Sequence, residues 1–89
     1  MQKKSVRRTV KRAIDGDTFE VSRKVWDSRF IRIAGADCPE RGERGYKSAK
    51  KRLSKLLKGQ KVTLRPKGKS YGRTVAEVIF KRKNLAGVC

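Results

Sequence analysis

The sequence predicts an α+β domain that is mainly β, with three strands, one helix and two further strands forming a small curved sheet that closes over the helix. Three observations carry that expectation. The chain has 89 residues, enough for one core and too few for two, since a domain of this size buries only about 60 to 65% of the surface its unfolded chain exposes. Its apolar residues gather into short β-favouring runs punctuated by Gly, Pro and Asp. One stretch alone, Tyr46 to Lys58, changes to a helical period.

The first strand is expected from Val6 to Ile14, and the Asp15-Gly16 pair after it is a type I′ hairpin signal, with Thr18, Phe19 and Val21 resuming on the far side. A third strand runs from Arg29 to Ala34 on the apolar-polar-apolar pattern Ile31, Arg32, Ile33. It ends at Gly35 and before Pro39, which has no N–H for a ladder. Tyr46, Ala49, Leu53, Leu56 and Leu57 recur at three- and four-residue steps and make one apolar helix face, and Gly59 stands where a C-cap belongs. Val62 and Leu64 alternate as a fourth strand. Pro66 to Gly72 reads as a turn-rich connection, and Thr74 to Phe80 as the fifth strand. Asn84 is placed to cap a short helix from Leu85 to Val88. Five strands and one helix in this order are compatible with a five-stranded barrel.

Lys and Arg number 26 against 8 Asp and Glu, a net charge of +18. A domain so cationic gains most from a polyanion, which makes nucleic acid the first candidate and an anionic membrane surface the second. The membrane reading lacks a helix with a strong aromatic and apolar face. Disorder is disfavoured because the 36% apolar content is clustered into segments. The absence of histidine excludes histidine-dependent triads, His-containing zinc sites and imidazole acid–base chemistry. The two cysteines, Cys38 and Cys89, lack C-x-x-C spacing and could form at most one bridge; they read as thiols suited to a reducing interior, with Cys38 an inert small side chain. The start, Met1 to Arg8, is basic with no apolar stretch of signal-peptide length behind it, so the expected location is cytoplasmic.

Four of the eight acids lie in two short segments, Asp15-Gly16-Asp17 and Asp37-Cys38-Pro39-Glu40. Carboxylates held close repel unless one is protonated or a cation lies between them. Hard oxygen donors without His or paired thiols favour Ca²⁺ or Mg²⁺ over zinc or copper. Taken singly, either segment also reads as ordinary turn residues paired with Lys or Arg. An EF-hand is excluded, because the fifth, sixth and twelfth positions counted from Asp15 are Phe19, Glu20 and Trp26. Cys38 to Arg44 has the Cys-x5-Arg spacing of a phosphatase loop, but Pro39 removes an N–H and Glu40 and Glu43 would repel the phosphate. Gly68-Lys69-Ser70 matches the end of a P-loop, with Thr63 in place of its first glycine and no helix following. Two arginines stand out by position: Arg32 inside an otherwise apolar strand, and Arg73 at the start of the last one. Each calls for a carboxylate or phosphate partner, since an unpaired half-buried charge costs several kcal/mol.

Three segments, Ile14-Asp15-Gly16-Asp17-Thr18, Arg32-Ile33-Ala34-Gly35-Ala36-Asp37-Cys38-Pro39-Glu40 and Tyr71-Gly72-Arg73, together resemble the signature of the staphylococcal nuclease (thermonuclease-like) domain, in order and with matching spacing. The resemblance covers the chain from about Val6 onward as a single domain. It implies an OB-fold-like five-stranded barrel with one helix between strands 3 and 4 and a truncated C-terminal helix, the chain stopping at Cys89 inside what should be the second helix. It further implies one Ca²⁺ held by Asp17, Asp37 and the backbone carbonyl of Cys38, where the family commonly has Thr. Glu40 would be the general base or orient the attacking water, Arg32 and Arg73 would grip the scissile phosphate, and Tyr71 and Lys69 would bind substrate. The implied activity is Ca²⁺-dependent hydrolysis of DNA and RNA with little sequence preference, leaving 3′-phosphates, with single-stranded DNA or RNA as partner. The alternative is a non-catalytic OB-type nucleic-acid-binding module. The stretch from Arg41 to Gly45 is shorter than the family's usual basic loop, which implies a different substrate rim. Exposed apolar residues near Phe80, Leu85 and Val88 raise self-association to a homo-oligomer through the uncovered barrel side.

Overall fold

The computed structural model describes residues 5–89, so part of the basic N-terminal stretch lies outside the described residues. Strands β1 (Val6–Asp15), β2 (Thr18–Val25) and β3 (Ser28–Ile33) are followed by helix α1 (Tyr46–Leu57). Strands β4 (Lys61–Ser70), β5 (Arg73–Phe80) and β6 (Lys83–Asn84) come next, and a 3-10 turn spans Leu85–Gly87. The sheet order is β3-β2-β1-β4-β5-β6 with antiparallel neighbours. A parallel pairing of β3 with β5, Ile31 opposite Thr74 and Ile33 opposite Ala76, closes strands β1 to β5 into a barrel. Closure removes the free edges that an open sheet of this length would present.

Period-two alternation fills the barrel. Along β5 the buried residues are Thr74, Ala76, Val78 and Phe80, and they meet Phe19, Val21, Ile31, Ile33, Val62 and Leu64 from the other strands. Each fully buried Leu, Ile or Phe contributes about 1.5–3 kcal/mol. Helix α1 adds Ala49, Leu53 and Leu57, an i, i+4, i+8 stripe laid against β1. Gly59 takes φ 80° just past the helix, and its N–H donates to the Val10 carbonyl at 2.8 Å, which returns the chain to the barrel. Leu56, expected on the apolar face, lies at the edge of the stripe and is 39% exposed.

The main departure from the sequence expectation is the length of β4. Pro66 to Gly72 is not a loose connection: β4 continues to Ser70, because a bulge between the pairs Pro66–Ala76 and Gly68–Val75 absorbs the proline and the glycine. Only Tyr71 and Gly72 turn the chain, at φ 50° and 76°. Strand β6 was not expected either, since its turn is made by Lys81 and Arg82 at φ 50° and 68°, residues with no turn signature. Asn84 does cap the following turn, its Oδ1 accepting from the Ala86 N–H at 2.8 Å. Phe80 and Leu85 are buried, correcting the expectation that they form an exposed apolar patch, and Val88 is half-buried against the core.

The β1–β2 hairpin forms where Asp15-Gly16 marked it, with Asp15 opposite Thr18. Its turn is not type I′, because neither Gly16 nor Asp17 has the positive φ that type demands. Glycine is needed at 16 for space: a Cβ there would stand 2.7 Å from the Ala49 Cβ and 3.2 Å from the Cys38 Cβ. Gly16→Ala is therefore expected to destabilise the domain by about 1–3 kcal/mol. Urea denaturation should show a lower midpoint at unchanged slope; an unchanged midpoint would mean that the turn has room.

The cysteines, expected as separate thiols, are joined as Cys38–Cys89 with a Cα–Cα distance of 5.3 Å. The Asn84 cap and the 3-10 turn bring the last residues alongside the loop after β3, where a Cβ on Gly35 would lie 3.2 Å from the Ala86 Cβ. A sequence separation of 51 residues carries no trace of that proximity.

Candidate active site

A cavity of about 300 Å³ opens where the β1–β2 turn, β3, the loop after β3 and the β4–β5 turn converge. Asp17, Arg32, Cys38, Glu40, Tyr71 and Arg73, all singled out in the sequence, line it together with Asp15, Pro39 and Arg41. Two bulges in β1, between Val10 and Arg12 and between Ala13 and Asp15, bend that strand around the barrel and set the turn at the cavity mouth. The Asp17 carbonyl accepts the Ile33 N–H at 2.8 Å, which locks the turn to the end of β3.

One side of the cavity is a chain of polar contacts. Asp17 Oδ2 lies 3.7 Å from Arg32 Nη2, its Oδ1 accepts from the buried Thr18 hydroxyl at 3.1 Å, and Thr18 Oγ1 accepts from Arg73 Nη1 at 3.3 Å. The Asp17 carboxylate is nearly buried, whereas the Arg32 side chain is 41% exposed. Register explains the grouping: Thr18 stands opposite Arg32 across β2 and β3, and Arg73 begins β5, the strand that pairs with β3. A guanidinium has five N–H donors, so single long contacts leave both arginines able to grip an anion in the cavity.

The opposite side comes from the loop after β3, which the Ala34 N–H ties to the Ala76 carbonyl at 2.8 Å. The Glu40 N–H donates to Glu43 Oε1 at 2.6 Å and the Glu43 N–H donates to the Glu40 carbonyl at 2.9 Å, a reciprocal turn that holds the Glu40 backbone while its side chain stays exposed. Asp15 and Arg41 are cavity residues to which the sequence reading gave no role. The Tyr46 hydroxyl donates to Asp15 Oδ1 at 2.7 Å, shared with the Ile14 carbonyl at 3.2 Å. The Tyr46 hydroxyl and the Asp15 carboxylate hold the Arg41 guanidinium protonated above its ordinary range. Asp15 carried a faint signal, lying two residues from Asp17. Arg41 carried none, being one base among 26.

Two expected site residues stand elsewhere. Asp37 is exposed and outside the cavity lining. Lys69 is also outside, its Nζ donating to Asp27 Oδ2 at 2.6 Å; that contact holds the Asp27 carboxyl below the usual range. Tyr71 lines the cavity while being 93% exposed at a positive φ. Among the described residues no three His, Cys, Asp or Glu side chains gather into a metal cage.

Fold and cavity together define a small OB-like barrel whose mouth sets carboxylates against guanidinium groups. The family model described as staphylococcal nuclease homologue matches residues 30–87, and the chain belongs to that nuclease family. A similar protein from Haemophilus influenzae, named an uncharacterized endonuclease, is 38% identical over 72 residues. The match covers 80% of this chain and 40% of that protein, so the chain spans well under half the length of its relative.

Proposed function

We propose that the domain is a Ca²⁺-dependent nuclease that hydrolyses phosphodiester bonds of single-stranded DNA and RNA with little sequence preference, leaving 3′-phosphates. The observation that carries this reading is the convergence of Arg32, Arg73, Asp17 and Glu40 on one cavity at the barrel mouth. The relative named as an endonuclease supports the same class.

Arg32 and Arg73 bind the non-bridging oxygens of the scissile phosphate, where planar bidentate donors match the charge that grows in the transition state. Glu40, exposed on the rim, takes a proton from the attacking water; a carboxylate within hydrogen-bond reach serves when no imidazole is present. Water oxygen bonds to phosphorus, the bond from phosphorus to the 5′ oxygen breaks, and the 5′ oxygen takes a proton from solvent water to leave as a hydroxyl, while the proton held by Glu40 passes back to solvent. Thr18, bonded to both Asp17 and Arg73, keeps carboxylate and guanidinium in fixed relation.

The donor chemistry fits a hard cation: the nearly buried Asp17 carboxylate faces only one guanidinium, at 3.7 Å. Asp17 and the Cys38 carbonyl, on residues that line the cavity, would hold Ca²⁺ with water completing the six to eight oxygens that ion takes, and Asp37 would join them only by turning in from its exposed position outside the lining. When bound, the ion would supply neutralisation of phosphate charge. The remaining basic surface holds the strand through its backbone, which accounts for weak sequence preference.

A labelled single strand should be cut with added Ca²⁺ and spared when EGTA removes it. A protein that binds the strand yet never cuts it at any Ca²⁺ concentration would instead be a non-catalytic OB-type binding module.

A further inference from the structure

Trp26 is the chain's one tryptophan, and the site described above leaves it without a role. It opens the two-residue turn between β2 and β3, is 56% exposed and sits at φ 60°. Tyr71, at the turn between β4 and β5, is the other strongly exposed aromatic among the described residues and shares this left-handed backbone at φ 50°. Bulky residues rarely occupy that region unless their surroundings or a function hold them there.

The two hairpin tips are fastened to each other. Lys69 Nζ donates to Asp27 Oδ2 at 2.6 Å, the Ser28 hydroxyl donates to the Gly72 carbonyl at 2.8 Å, and the Thr74 hydroxyl donates to the Val25 carbonyl at 2.9 Å. Trp26 and Tyr71 thus belong to one surface, and Tyr71 carries that surface into the cavity. Lys24 and Arg29 are exposed beside Trp26; Lys69 offsets Asp27, and Arg29 Nε lies 4.0 Å from Glu20 Oε2. Exposed aromatic rings among basic side chains are the composition that binds single strands, with bases stacking on the rings and phosphates meeting the cations.

We propose that Trp26 is a base-stacking residue, which with Tyr71 extends the nucleic-acid track from the cavity across the joined hairpin tips. The inference rests on the reading of the cavity as a single-strand site. Stacking accepts any base, consistent with the weak sequence preference proposed for cleavage.

The test uses the whole chain in EGTA, where no strand is cut, and a labelled DNA single strand of about eight nucleotides, within the span of an OB-type groove. Tryptophan emission should be quenched with the same midpoint as the rise in label anisotropy. Trp26→Ala should weaken binding about ten-fold, within the range for one base on an aromatic ring, and Trp26→Phe should recover most of the loss. On an abasic strand of equal charge, wild type and Trp26→Ala should bind alike. Emission that stays constant at saturation, or an equal loss on the abasic strand, would overturn the proposal. Cleavage is scored separately with Ca²⁺. A protein that cuts while its tryptophan stays silent loses the stacking track alone; one that shows base-dependent quenching but never cuts loses the nuclease reading alone.

Discussion

Arg73→Ala is expected to slow cleavage of single-stranded DNA at saturating Ca²⁺ and substrate by about two to three orders of magnitude, the usual cost of removing one donor aimed at transition-state charge. Affinity in EGTA should change only a few-fold, because most of the binding comes from the other basic residues. Arg73→Lys should recover little, since an ammonium cannot place two parallel N–H bonds on a phosphate. Glu40→Gln should slow the same step by about 10²- to 10⁴-fold, since the amide cannot accept the water's proton. The two effects differ in kind: the first removes charge stabilisation, the second a proton acceptor. Initial rates on a fluorescent strand separate them. An Arg73→Ala protein that cuts at the wild-type rate would remove Arg73 from the mechanism and leave its contact with Thr18 as its role.

Cys89→Ser is expected to lower stability by about 2–4 kcal/mol, the usual contribution of a bridge closing a loop of this length. At about 4–8 °C per kcal/mol for a domain of this size, the melting temperature should fall by roughly 10–30 °C. Cys38→Ser should match it, and wild type melted with dithiothreitol should fall to the same value. The bridge also anchors the loop that carries Cys38, Pro39, Glu40 and Arg41 to the cavity, so activity near the midpoint should fall with it. Equal melting temperatures with and without reductant would show that the bridge contributes nothing to stability.

The elements that sequence resolved best are those whose side chains repeat along one face. Helix α1 begins at Tyr46 as expected and ends at Leu57, because Ala49, Leu53 and Leu57 form a stripe interrupted by Lys and Arg. Strand β5 was equally legible through its alternation. The extension of β4 was not: Pro66 and Gly68 look like breakers in any local window, and only the long pairing with β5 makes a bulge cheaper than a loop. Gly16 was singled out for the wrong property, since its local signal concerned φ and its actual constraint is the approach of Ala49 and Cys38.

The site divides in the same way. Asp17, Arg32, Glu40 and Arg73 were visible because charged residues at the ends of apolar strands, or clustered in short loops, need a reason to be there. Asp15, Thr18 and Arg41 owe their places to the Tyr46 hydroxyl, to the register of β2 on β3 and to the bridged loop, all contacts between distant segments. Sequence alone determined a basic barrel with one helix and a short set of acids and arginines that stand apart by position from the other charges. Barrel closure through β3 and β5 decided which of them meet, leaving Asp37 and Lys69 outside the cavity and joining Cys38 to Cys89. The reason is physical: period and turn chemistry act over a few residues, whereas the cavity is made by hydrogen bonds and packing between segments far apart in the chain, as between Thr18 and Arg73, 55 residues on.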